Sequence, residues 1–212
     1  MSSSIMIAAE MRGPMTGAPM LDALLMSVVA SRMGLVAGFG DMQDVDNPID
    51  REPGGRFFMC SSPVVSWDAH ESRYVHRRFP VAEAQMHGES KLRRVNIAVG
   101  SCRSYRLPHE VRWASGDRVV WYVTGDEDPI RELLTCVTHI GRRRAVGRGP
   151  VRSWIVEPCE PWGPDYPIAR DGAPMRPLPA DWAGLVDPST GYHTLAPPYW
   201  GHEREELCAV PS

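Results

Sequence analysis

The stretch DEDPIRELLTCVTHIGRRRAVGRGPVRSWIVEP, residues 126–158, decides how this chain is read. Acidic residues and Pro129 stand where the positive end of a helix dipole favours them. Ile130, Leu133, Leu134, Val137 and Ile140 then recur at helical spacing. This predicts a helix ended by Gly141. Three arginines follow, then a turn through Gly147-Arg148-Gly149-Pro150. Val151–Val156 reads as a β-strand. A helix, a short basic glycine-rich loop and a strand fit the closing half of a β-α-β-β-α-β arrangement.

The opening half is legible too. Ser4–Met11 is an apolar run of strand length, broken by Gly13-Pro14. After Pro19, Leu21, Leu24, Leu25, Val28 and Val29 form one helix face, with Gly34 as its C-cap. Residues 36–55 are acidic and rich in glycine and proline, and read as an exposed loop. Arg56–Trp67 reads as one or two short strands interrupted by Pro63. Glu71–Phe79 is basic and alternates, with Arg73, Val75 and Arg77 on one face and Tyr74, His76 and Arg78 on the other. Lys91–Asp126 supplies further strand, clearest at Arg118–Thr124, with Ser115-Gly116-Asp117 expected as a hairpin turn. From Pro158 onward periodicity is lost. The expected fold is α+β, a ferredoxin-like (RRM-like) domain with a large β/loop insertion and an irregular C-terminal extension.

The 43% hydrophobic and 23% charged content is that of an ordinary soluble domain. No run of about 18 apolar residues is present, so no membrane span is expected. Met1-Ser-Ser-Ser lacks a basic signal-peptide region, and the expected compartment is the cytoplasm. Five cysteines form no C-x-x-C pair, so neither a disulfide framework nor a zinc site is expected, and no cofactor or metal is implied. The net charge of −3 hides an asymmetry. Arg73–Arg152 holds 16 basic and 8 acidic residues, against 7 and 18 in the rest. Lys91 is the one lysine. Arginine forks suit phosphate and stack on bases, so a polyanion-binding face on a near-neutral body is expected.

The arginine loop is the sharpest feature. Arg142, Arg143, Arg144, Arg148 and Arg152 lie beside Gly141, Gly147 and Gly149. Glycine lets a backbone approach phosphate closely, and arginine contacts make binding salt-dependent. The loop is not a nucleotide P-loop, because G-x-x-x-x-G-K-[ST] is absent. Nor is it G-x-G-x-x-G, because Arg152 stands at the last glycine position.

The stretches "MLDALLMSVVASRM", "KLRRVNIAVGSCRSYRLPHEVRW" and "HIGRRRAVGRGPVRSWIVEP" together resemble the Cas5-like RAMP subunit of type IV CRISPR–Cas effector complexes, the Csf family. The resemblance implies a RAMP-type domain at residues 1–157, with a thumb-like basic insertion at about 60–115 and a Pro-rich extension at 158–212. It implies a non-catalytic subunit that caps the 5′ handle of the CRISPR RNA. Its partners would be the backbone and large subunits and target DNA near the PAM, with no membrane. By position, Arg142, Arg143, Arg144, Gly147, Arg148, Gly149 and Arg152 would contact handle phosphates. Arg73, Arg77, Arg78, Lys91, Arg93, Arg94, Arg103, Tyr105 and Arg106 would hold RNA along the basic middle. Tyr74, Tyr105 and Trp113 are candidates to stack on bases.

Two other readings stay open on the sequence. A metal-independent processing endoribonuclease would need two of Tyr74, His76, Lys91 and His139 to converge on one phosphate, with His109 a further candidate. A protein-interaction module would leave the arginines as a solvated face.

Overall fold

The computed structural model describes residues 2–35, 45–77, 105–144, 147–199 and 202–211. At its centre is β1 (Ser3–Met11), paired antiparallel on one side with β4 (Arg118–Gly125) and on the other with β5 (Val151–Pro158). Ile7 stands opposite both Trp121 and Val156. Strand alternation sends Ile5, Ile7, Ala9 and Met11 to one face, where all are buried. Two helices, α1 (Leu21–Arg32) and α2 (Glu127–Leu134), cover that face. Trp121 is fully buried there and donates its indole N–H to the Pro19 carbonyl at 3.0 Å. That bond satisfies the one polar atom of a large apolar side chain.

Between residues 49 and 64 the chain lines the free edge of β4. Isolated bridges join Ile49 to Gly125, Cys60 to Val123 and Val64 to Val120, all antiparallel. Pro63 and the Arg51–Phe58 excursion keep this edge from becoming a continuous strand. It leads into β2 (Trp67–Arg77), which pairs with β3 (Tyr105–Ala114) as a two-stranded ribbon. Ser115–Asp117 was expected as a hairpin turn. It is a 3-10 corner instead, with Gly116 and Asp117 at positive φ, and it carries the chain from β3 into the main sheet, where β4 pairs with β1.

Helix α1 starts and stops as its sequence predicts. Leu35 N–H returns to the Ala30 carbonyl at 2.9 Å around Gly34, a Schellman stop. Its buried sector is broader than the apolar spacing suggests: Asp22, Met26 and Ala30 are inside, while Val28 and Val29 are only half-buried. Helix α2 is shorter than expected and does not reach Gly141. After Leu134 the bonds tighten to three-residue spacing, Cys136 to Leu133 and Val137 to Leu134. The chain then extends, because Thr138 and Ile140 pair with Val151 and Gly149 in the neck of the arginine loop.

The C-terminal segment, expected to be irregular, builds structure of its own. β6 (Ala169–Arg170) and β7 (Ala173–Pro174) form a small hairpin. β8 (Leu178–Pro179), β10 (Glu206–Val210) and β9 (Ser189–His193) form a second sheet in that order. Phe57, Ile168, Ala169, Leu178, Leu195 and Cys208 make its core. The same segment closes the outer face of the main sheet. Tyr122 meets Trp162 edge-on at 4.8 Å, and the Tyr166 hydroxyl donates to the Ile5 carbonyl at 2.9 Å. No helix among the described residues is long and apolar enough to cross a membrane.

Candidate nucleic-acid interface

The arginine loop is shaped by packing against the turn that follows β1. Ile140 N–H donates to the Gly149 carbonyl at 2.8 Å and Val151 N–H to the Thr138 carbonyl at 2.9 Å, closing the neck. Gly149 N–H bonds the Pro14 carbonyl at 3.0 Å, Arg142 N–H the Thr16 carbonyl at 2.9 Å, and Arg12 N–H the Pro150 carbonyl at 2.9 Å. Gly141 and Gly149 both have positive φ. A β-carbon on Gly141 would lie 2.3 Å from the Gly17 carbonyl oxygen, so no other residue fits. Contact within the chain thus accounts for these two glycines. Gly147 is exposed, with open space around it.

The loop presents Arg142, Arg143 and Arg144 to solvent. Arg143 holds φ at +61°, an unfavourable region for a residue with a β-carbon. Arg148 is half-buried, and its Nε is buried without a hydrogen-bond partner. Arg152 is exposed on β5, near Glu10. The Ser153 hydroxyl and then Arg118 hold the Glu10 carboxyl below its usual range. Among the described residues no ion pair uses Arg142, Arg143, Arg144, Arg148 or Arg152.

The ribbon's arginines are more engaged. Arg73 pairs with Glu71 at 2.9 Å and lies over the Trp113 ring at 5.7 Å. Arg106 stacks on the exposed Tyr74 ring at 3.5 Å. Arg112 pairs with Glu110 at 2.9 Å and lies over Trp67 at 5.7 Å. In the strand register Arg77 stands opposite Tyr105, and His76 opposite Arg106. Arg78, Lys91, Arg93, Arg94 and Arg103 lie outside the described residues.

The turn after β1 joins loop to ribbon. Met15 exchanges two backbone bonds of 2.9 Å with Arg112, and the Thr16 hydroxyl donates to the Glu110 carbonyl at 3.1 Å. Between them opens a cleft of ≈ 670 Å³ whose lining includes the apolar Pro19, Met20 and Ala23 together with Glu110, Arg112, Arg142 and Tyr199. A neighbouring cleft of ≈ 610 Å³ shares Pro19, Ala23 and Gly141 and reaches Arg144 and Pro197. So one surface combines the loop arginines with the base of the ribbon. Sequence reading took Gly13-Pro14 only as a break and did not single out Thr16 or Tyr199. Met15 and Thr16 carry no periodic signal, and Tyr199 lies in the segment without one.

The residues of the nuclease reading are placed differently. His139 is in the loop neck, its ring nitrogen Nδ1 3.0 Å from the Thr138 hydroxyl. Tyr74 is on the ribbon beneath Arg106. The side chain of His76 and all of Lys91 lie outside what is described. Among the described residues no group of three His, Cys, Asp or Glu side chains is arranged to hold a metal.

No curated protein matches this chain. The family model described as CRISPR type IV associated protein Csf3 matches residues 29–211, most of the chain, including β2–β5, the arginine loop and the C-terminal sheet. The chain belongs to the Csf3 family of type IV CRISPR-associated proteins.

Proposed function

We propose that this chain is a non-catalytic RNA-binding subunit of a type IV CRISPR effector ribonucleoprotein, and that it grips the 5′ handle of the CRISPR RNA. Residues 1–157 form a RAMP-type, ferredoxin-like domain. The order of β4, β1 and β5, with the bridged edge beside β4, supports that topology. The β2–β3 ribbon is its thumb-like projection, and residues 158–212 are an extension that meets the backbone and large subunits. Contact with target DNA near the PAM belongs to the same reading, as does a cytoplasmic setting.

The observation that carries the reading is the meeting of the arginine loop and the ribbon base on one cleft. The guanidiniums of Arg142, Arg143 and Arg144 are exposed and bound to no carboxylate among the described residues, so phosphate meets little competition there. The stacking of Arg106 on Tyr74 favours a binding role for that tyrosine over a proton-transfer role.

The test is binding of the full-length protein to labelled CRISPR repeat RNA over a salt series, with cleavage scored on the same gels. Salt-sensitive binding of intact RNA, weakened when Arg142, Arg143 and Arg144 become alanine, is expected. Specific cuts would favour the endoribonuclease. Absence of binding, both alone and in the co-purified complex, would favour the interaction module.

A further inference from the structure

We infer that Tyr199 is a stacking platform for one unpaired nucleobase, held from behind by the buried Asp22–Arg176 pair. This rests on the RNA-binding reading above and narrows it to a single ring. Tyr199 comes from the C-terminal segment, far along the chain from the arginine loop. It nonetheless lines the same cleft as Arg142 and Arg112.

The two ends of this side chain meet different surroundings. The hydroxyl donates to Asp22 Oδ2 at 2.6 Å and accepts from Arg176 Nη2 at 3.1 Å. Both partners have no exposed surface. The residue as a whole is only half-buried, and it lines the cleft. A tyrosine on an open surface turns freely about two torsions. This one is fixed at its far end, so stacking on it costs little further ordering. Its anchor is fixed in turn. The Arg176 guanidinium donates to the carbonyls of Phe58, of Cys60 at 3.2 Å and of Leu195 at 2.5 Å. The platform is thereby tied to helix α1, to the sheet edge and to the C-terminal core.

The remainder of the cleft states the occupant. Pro19, Met20 and Ala23 give it an apolar lining. Arg142 lines the cleft too, exposed and with no ion pair among the described residues. Glu110 is also in the lining, but its carboxylate is engaged by Arg112 at 2.9 Å. A tyrosine, an apolar lining and an unpaired arginine fork complement a splayed base and its own phosphate.

The test uses the full-length protein and a set of repeat RNAs, each with one abasic site. Wild type should lose about tenfold in affinity at one position, the order expected for one base–aromatic stack. Tyr199→Leu should lose about as much on intact RNA and nothing further at that position. Tyr199→Phe keeps the ring and should keep the abasic sensitivity while melting at lower temperature, which separates stacking from folding. Equal abasic losses in wild type and Tyr199→Leu would overturn the platform. So would the lack of any abasic-sensitive position in wild type, which would give the cleft to a protein side chain. The triple alanine variant of Arg142, Arg143 and Arg144 isolates the underlying reading. If it weakens binding and Tyr199→Leu does not, the platform alone fails; if neither changes binding, both fail.

Discussion

A β-carbon on Gly149 would stand 1.9 Å from the carbonyl oxygen of Ile140. That approach closes the neck of the arginine loop, and the φ of +64° at Gly149 is itself unfavourable for any side chain. Gly149→Ala is therefore expected to cost more than about 2 kcal/mol in chemical denaturation, since a backbone shift adds to the left-handed penalty. Gly147 has positive φ but open space around it. Gly147→Ala should cost only about 1 kcal/mol. Equal losses would mean that loop conformation, and not the close approach, sets the requirement.

Asp22 and Arg176 share a buried site with a nitrogen–oxygen distance of 3.7 Å. Removing the arginine alone takes the countercharge from the buried Asp22 carboxylate and one donor from each of the Phe58, Cys60 and Leu195 carbonyls. Arg176→Ala should cost about 3–5 kcal/mol, with part of the loss recovered when Asp22→Leu is added. The pH dependence has a definite sign. Burial raises the Asp22 carboxyl above its ordinary 3.8, and Arg176, the Tyr199 hydroxyl and the Ala23 N–H only partly oppose it. A raised carboxyl favours the protonated folded state. Its contribution is full below pH 3.8 and is lost as pH rises through the folded value. Asp22→Asn should therefore gain stability relative to wild type as pH rises from about 4. A relative loss over the same range would show that the ion pair outweighs burial.

The elements legible in the sequence were those with a local period or a local stop. β1, α1 with its Gly34 stop, β4 and β5 all had one, and the central sheet follows from them. Helix α2 was read too long because Val137 and Ile140 keep the helical spacing. Ile140 itself and Thr138, next to Val137, are instead drawn into backbone bonds with Gly149 and Val151. Such partners lie across a loop, and no window of sequence shows them. The C-terminal strands are two to five residues long and alternate poorly, so their sheet rests on long-range pairing with β10 and packing on Phe57 that no local period marks. The arginine loop was legible because charge and glycine coincide in one stretch. The cleft beside it was not, because Thr16, Arg112, Arg142 and Tyr199 come from four separate segments.

The described cysteines should separate cleanly by reactivity. Cys136 is exposed, and its thiol lies 3.2 Å from an Arg32 guanidinium nitrogen. That hydrogen bond, aided by Thr135, lowers its pKa below the usual 9.0. Cys60 is fully buried, and burial pushes its thiol up to about 12. Near neutral pH, iodoacetamide should alkylate Cys136 first and reach Cys60 only in denaturant. Arg32→Gln should slow the Cys136 reaction without altering the protection of Cys60. Peptide mapping by mass spectrometry over a time course reads both rates.

Engaged and unengaged arginines should differ in how they shape salt dependence. Each phosphate contact to single-stranded RNA contributes about 0.7 to the slope of log affinity against log salt. Arg142, Arg143 and Arg144 are exposed and free of ion pairs among the described residues. Replacing all three with alanine should flatten the slope by up to about 2. Arg73 already neutralises Glu71 and lies over Trp113. An RNA phosphate would have to displace that carboxylate, so Arg73→Ala should flatten the slope by less than about 0.7. Restoring competition provides the reverse check. Glu71→Gln frees Arg73 and should tighten binding at low salt while leaving the loop's contribution unchanged. If Arg73→Ala flattens the slope as much as the triple replacement, the ribbon carries the phosphate contacts and the arginine loop serves only to shape the cleft.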